Sequence, residues 1–240
     1  MFYNINGDYM YFDSLLANLI LMIVIILIIT IINYYLNHHA RVLMKYASTL
    51  KISSKEIVDR FSKEENIDLK AYSSRGNNIL DNYIDSNKTI FINARHYYSS
   101  SIYTLARIVY FCAMSKVAKN DNKKFKLQNK CDSIFTLLDV LAWGLFFIGI
   151  LLKINLLIIA SLIMLLTSFI FVLINYKTIK SYHYIALEYL SKLLKDKKEV
   201  NVIKVLYLFE CIQYLFKPFL SLVLLFPFLL SINQKKMSGI

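Results

Sequence analysis

The sequence predicts an α-helical multi-pass membrane protein of about four spans, with a small α+β region facing the cytoplasm between spans 1 and 2. Three observations carry this reading. The 240-residue chain is 57% hydrophobic, against roughly 45–50% in soluble domains. Two long runs, Ser14–Asn37 and Ile154–Tyr176, contain no charged residue at all. Each exceeds the roughly 20 residues a helix needs to cross about 30 Å of hydrocarbon. The third observation is an uneven distribution of Lys and Arg, which sets the orientation.

Residues 1–37 form an N-terminal segment and span 1. The flank before the apolar run is acidic (Asp8, Asp13) and no small-residue cleavage site follows, so the run reads as a retained anchor rather than a signal peptide. Residues 133–176 hold spans 2 and 3 as a hairpin, whose outer turn carries only Lys153 and Asn155. Span 2, Ser133–Leu152, contains Asp139. A carboxylate there is costly, and the plainest expectation pairs it with a nearby Lys or Arg about one turn inside the membrane. Residues 177–212 are cytoplasmic or interfacial helices, and 213–240 hold span 4 and a short tail. Lys217 falls near the boundary of that last span, where its side chain can snorkel to water.

Residues 1–13 carry two acids and no base, residues 36–133 carry 17 Lys/Arg against 9 Asp/Glu, and residues 177–204 carry 7 against 3. Basic segments stay inside, which predicts a cell-membrane protein with its N-terminus outside and both basic regions cytoplasmic. The same charge suits anionic lipid headgroups, at roughly 1 kcal/mol per well-placed residue. No Gly-rich phosphate loop, repeat or nucleic-acid motif is present, and no nucleic-acid partner is expected. Three cysteines (Cys112, Cys131, Cys211) without a C-x-x-C pair exclude a disulfide framework or a zinc ribbon.

Within residues 38–132, Ser53-Ser54-Lys55-Glu56 has capping-box spacing and opens a helix with Ile57, Val58 and Phe61 on one face. Ile67–Tyr72 alternates as a half-buried strand does, Ser73–Asn87 reads as loop, and Thr89–Ile92 is a short β run. A helix begins around Ser99–Ser101, with Ile102, Leu105, Ala106, Val109, Tyr110 and Ala113 at helical spacing. The predicted order is helix, strand, strand, helix, a compact α+β layer.

Several passages together carry a resemblance. Asp81-Asn82-Tyr83-Ile84-Asp85 and Lys88-Thr89-Ile90-Phe91-Ile92 precede Tyr97-Tyr98-Ser99-Ser100-Ser101-Ile102. Trp143 with Ile148-Gly149 follows, and then Lys204-Val205-Leu206 with Gln213-Tyr214. In order and spacing the chain resembles the bacterial membrane-bound neutral zinc metallopeptidases, which implies a zincin-like layer on the cytoplasmic side. The family's H-E-x-x-H binds zinc through two imidazoles one turn apart, while the Glu activates the bound water. The resemblance places Tyr110 and Met114 at the two histidine positions, Phe111 at the catalytic glutamate and Ala113 at the usual glycine. The helix expected to bring the third, acidic ligand reads Lys177-Thr178-Ile179-Lys180-Ser181-Tyr182-His183-Tyr184, without an acid.

The expectation is therefore a degenerate member with no catalytic residues, no metal ligands and no cofactor, acting by binding a membrane-protein partner or an unprocessed substrate. The enzymatic alternative is a working peptidase with unusual ligands, of which His96, Cys112 and His183 form the obvious candidate set; only that reading calls for zinc. A third reading is a small transport or channel subunit using Asp139, Glu210 and Lys217. His38 and His39 are adjacent, so on a helix they diverge by about 100° and chelate poorly.

Overall fold

The computed structural model describes residues 42–74, 82–84 and 87–219, with single positions between Ile20 and His39. Most of the first predicted span and most of the fourth lie outside the described residues.

Helix α1, Ser54–Glu64, starts where its sequence says it should. The Ser53 hydroxyl accepts from the Glu56 amide, and the Glu56 carboxylate accepts from the Ser53 amide. This reciprocal capping box satisfies two otherwise orphan donors. One face of α1 buries Ile57, Val58 and Phe61 completely. Each such side chain contributes roughly 1.5–3 kcal/mol of transfer free energy. Phe61 meets the ring edge of Tyr189, at 4.8 Å between centroids.

Three strands follow: β1 (Lys70–Ser74), β2 (Asn82–Ile84) and β3 (Thr89–Asn93). The central strand is β3, parallel to β1 and antiparallel to β2. The sequence missed β2. Three residues in a passage rich in Asn and Asp leave almost no alternation to detect, and only the buried Tyr83, whose ring reaches Phe125, ties them inward. The first strand also runs later than expected, because Ile67 and Leu69 are buried in the approach to it while the ladder starts at Lys70.

After the short α2 (Ala94–Tyr97), helix α3 spans Ile102–Asn120, with the Ser101 hydroxyl accepting from the Thr104 amide at its start. Helix α3 is the spine of the layer. Leu105, Ala106, Ile108, Val109, Cys112 and Ala113 are all fully buried along it. Helix α4 (Asn122–Leu151) and helix α5 (Asn155–Leu193) make the hairpin. Gly149 is required at its tip: a Cβ there would stand 2.8 Å from Ile158 Cγ1. Lys153 turns the chain in the left-handed region, with φ of 57°.

Two helices, Phe125–Ile150 and Asn155–Leu193, are long and apolar enough to cross a membrane. At 1.5 Å per residue the 39-residue α5 is nearly twice as long as the hydrocarbon is thick. Its uncharged half ends at Tyr176, and its other half joins the α+β core through Ile179, Tyr182, Ala186, Tyr189 and Leu190. One continuous helix thus carries the layer. Helix α6, Lys197–Leu215, closes the core with Ile203, Leu206 and Tyr207. Its start is set by Asp196, whose carboxylate accepts from the Lys198 amide at 2.8 Å.

Asp139 is 1% exposed, and among the described residues no Lys or Arg forms an ion pair with it. Lys217 instead approaches Asp132 Oδ1 at 3.5 Å. Asp132 lies two turns nearer the start of α4 and also accepts the Tyr214 hydroxyl at 2.9 Å. The cation at the end of α6 stays with the outer carboxylate because there it keeps some contact with water.

Candidate functional site

Helix α3 brings Arg107, Tyr110, Phe111 and Met114 to its own side of the layer, and α5 and α6 supply what faces them. Tyr110 and Met114 are both half-buried against the core. Tyr110 stacks at a tilt on His183, with ring centroids 4.6 Å apart, and meets the Tyr182 ring edge at 5.9 Å. Tyr207 covers the imidazole from α6 at 4.7 Å and donates its hydroxyl to the Ala106 carbonyl at 2.7 Å. Tyr110 on α3 and the facing turn of α5 are therefore in contact through rings.

A charged pair borders these rings. Arg107 approaches Glu210 Oε1 at 3.7 Å and lies over the Phe111 face at 5.4 Å. His183 Nδ1 is 3.7 Å from Glu210 Oε2, beyond hydrogen-bond reach. Burial holds the His183 imidazole down at about 4, and the Arg107 charge pushes the same way. At neutral pH the ring is uncharged, so the ion pair here is Arg107 with Glu210 alone. Burial raises the Glu210 carboxyl, partly offset by Arg107.

Could these residues hold the zinc that the motif would hold? The donor set does not fit. Burial pushes the Tyr110 phenol and the Cys112 thiol up, so both stay protonated at pH 7. Met114 offers a soft thioether that suits Cu(I) better than Zn²⁺. Phe111 can neither accept a proton nor orient water. Among the described residues no group of three or more His, Cys, Asp and Glu side chains is placed to hold a metal. His96, Cys112 and His183 are accordingly not gathered into one: His96 packs near Tyr103 at 6.5 Å, while Cys112 is fully buried. Of Asp139, Glu210 and Lys217, Glu210 faces Arg107 and Lys217 faces Asp132.

Sequence reasoning did not single out Arg107 or Tyr207 here. Arg107 stands one turn before Tyr110, so it shares that face, and this spacing was the available signal. Glu210, the only acid between Val200 and Ile240, was noticed but not placed opposite α3.

These features define a class: a mostly helical protein with a small three-stranded sheet, joined to a long apolar hairpin. The family model for putative neutral zinc metallopeptidases matches residues 18–207. The chain belongs to that family and lacks its H-E-x-x-H motif. No curated protein and no solved structure matches the chain.

Proposed function

We propose that this protein is a catalytically inactive member of its family, which keeps the scaffold in the membrane and works by binding a membrane-protein partner or an unprocessed substrate. The observation that carries this is the Tyr110–His183 stack, which puts packed rings where two imidazoles and a carboxylate would be needed. A zinc peptidase needs three ligands, an open fourth position and a base beside the bound water. The residues here supply one neutral imidazole among aromatics.

If zinc bound a built site, it would stabilise the fold by about 2.7 kcal/mol at a hundred times its dissociation constant. Thermal unfolding of the detergent-purified chain should show no upward shift on adding zinc. A zinc-dependent rise in Tm, reversed by a chelator, would speak for the working-peptidase alternative.

The layout that goes with this reading has four spans, the N-terminus outside and both basic regions in the cytoplasm. Its support is the Lys/Arg asymmetry together with the two long apolar helices. Single cysteines placed in residues 40–130 should resist a membrane-impermeant thiol reagent in intact cells. Those in the first ten residues should react. Labelling of the 40–130 region from outside would reverse the orientation.

A further inference from the structure

A groove of about 320 Å³ runs between α6 and the inner end of the first apolar run, lined by His39, Leu43, Asn201, Val202, Val205 and Phe209 among others. Its volume is at the small end for ligand pockets, which span roughly 300–1,000 Å³. Its walls are apolar apart from His39 and Asn201. The groove has a deep end and a shallow end. Phe209 meets the rings of Tyr35 and His39 at 5.8 and 6.0 Å, next to the charge-free run that ends at Asn37. Just beyond the end of α6, the Pro218 carbonyl accepts from Trp143 Nε1 of the apolar helix α4 at 2.9 Å.

The face of α6 on the groove is graded along this depth. Residues three and four apart share a helical face, so the lining from α6 reads Asn201 and Val202, then Val205, then Phe209, with Lys198 one turn before it, at the mouth. A cation and an amide stand at the shallow end, and apolar groups stand below. Lys197 stands at the same end and Lys204 beside Val205, and all three lysines are exposed. Among the described residues none of the three enters an ion pair. Of the two acids at that end, Glu199 is taken up by Ser48 and Thr49, and the Asp196 carboxylate is engaged as the helix cap by the Lys198 amide. Val205 and Leu208 remain 45% and 57% exposed, as side chains facing acyl chains are. An amphiphile with a negative head and an apolar tail matches this grading in both chemistry and direction.

We propose that the groove is a binding site for one anionic phospholipid, with an acyl segment against Val202, Val205 and Phe209. Its phosphate is held at the mouth by Lys198 and Asn201. The site is separate from the Tyr110–His183 stack, so it stands or falls independently of the loss of catalysis.

The test uses the full chain purified in a neutral detergent, with dioleoyl phosphatidylglycerol, dioleoyl phosphatidylcholine and inorganic phosphate as probes. Native mass spectrometry should retain one phosphatidylglycerol per chain, and that lipid should raise Tm where phosphatidylcholine and phosphate do not. Lys198→Glu should weaken retention about thirtyfold, since one charge reversal removes one attraction and adds one repulsion of similar size. Lys198→Arg should retain the lipid. Val205→Trp, which fills the groove, should abolish retention, with an unchanged elution profile showing that the chain is folded. Equal retention of both lipids, a Tm shift from phosphate alone, or phosphatidylglycerol binding that survives both Lys198→Glu and Val205→Trp would overturn the site. So would a dimer that occupies the groove and excludes the lipid.

Discussion

Replacing Glu199 with Ala is expected to destabilise the protein by about 2–4 kcal/mol, through a mechanism that mutational surveys place among the costly ones. The Glu199 carboxylate is 7% exposed and accepts three hydrogen bonds from a segment about 150 residues away. The Ser48 hydroxyl donates at 3.0 Å, the Thr49 amide at 2.8 Å and the Thr49 hydroxyl at 3.2 Å. The same segment is fixed on its other side to the start of α3. The Ser48 amide donates to the Ser100 carbonyl at 2.8 Å, and the Ile102 amide donates to the Tyr46 carbonyl at 3.0 Å. Glu199 therefore fastens the first turn of α6 to the passage that leads out of the first apolar run. Its negative charge near a helix N-terminus is favourable as well. Alanine leaves the buried Ser48 hydroxyl without its acceptor, while Thr49, exposed, recovers part of its loss from water. Glutamine keeps one acceptor oxygen and should cost less. Denaturant unfolding in detergent measures the difference, and hydrogen exchange at residues 46–50 should accelerate. A variant within about 0.5 kcal/mol of the parent would remove Glu199 from this fastening role.

The second large effect is a pH dependence centred on His183. Its imidazole titrates near 4 in the folded chain, against 6.5 for an ordinary histidine. Between those values the unfolded chain binds a proton that the folded chain refuses, so stability falls as pH falls. The contribution is fully present above pH 6.5 and is lost on the way down to about pH 4. At full extent it amounts to about 3 kcal/mol. Glu210 acts with the opposite sign, because its raised carboxyl binds a proton in the folded chain first. The wild-type curve is thus the difference of two slopes, and the clean readout is a comparison. His183→Phe keeps a flat ring between Tyr110 and Tyr207 and should flatten the loss between pH 6.5 and 4, leaving the Glu210 slope in place. Identical curves for the two proteins would show that His183 is not excluded from protonation.

Some of the fold was legible because single residues dictate it. Ser53 and Glu56 announce α1 through one hydrogen-bond geometry, Ser101 does so for α3, and a charge-free run as long as Ile154–Tyr176 has few alternatives to a helix. The missing motif was equally legible, since H-E-x-x-H is either written in the chain or it is not. What stayed hidden depends on contacts distant in sequence. Strand β2 exists because β3 offers it an edge and Phe125 meets Tyr83, neither of which a three-residue window contains. Asp139 could be flagged as an outlier, but whether Lys217 would choose it or Asp132 turns on where α6 ends. The surroundings of Tyr110 were unreadable for the same reason. Arg107 and Glu210 are about a hundred residues apart, and only the packing of α3 against α6 brings them to 3.7 Å.

The central claim is that this member of a zinc metallopeptidase family has lost its metal chemistry. Metal analysis of the detergent-purified chain, with a peptide-cleavage assay run in the presence and absence of a chelator, tests it most directly. The account predicts far less than one zinc per chain and no chelator-sensitive cleavage, because Tyr110, Phe111 and Met114 supply neither ligands nor a base. About one zinc per chain, accompanied by cleavage that a chelator abolishes, would contradict it.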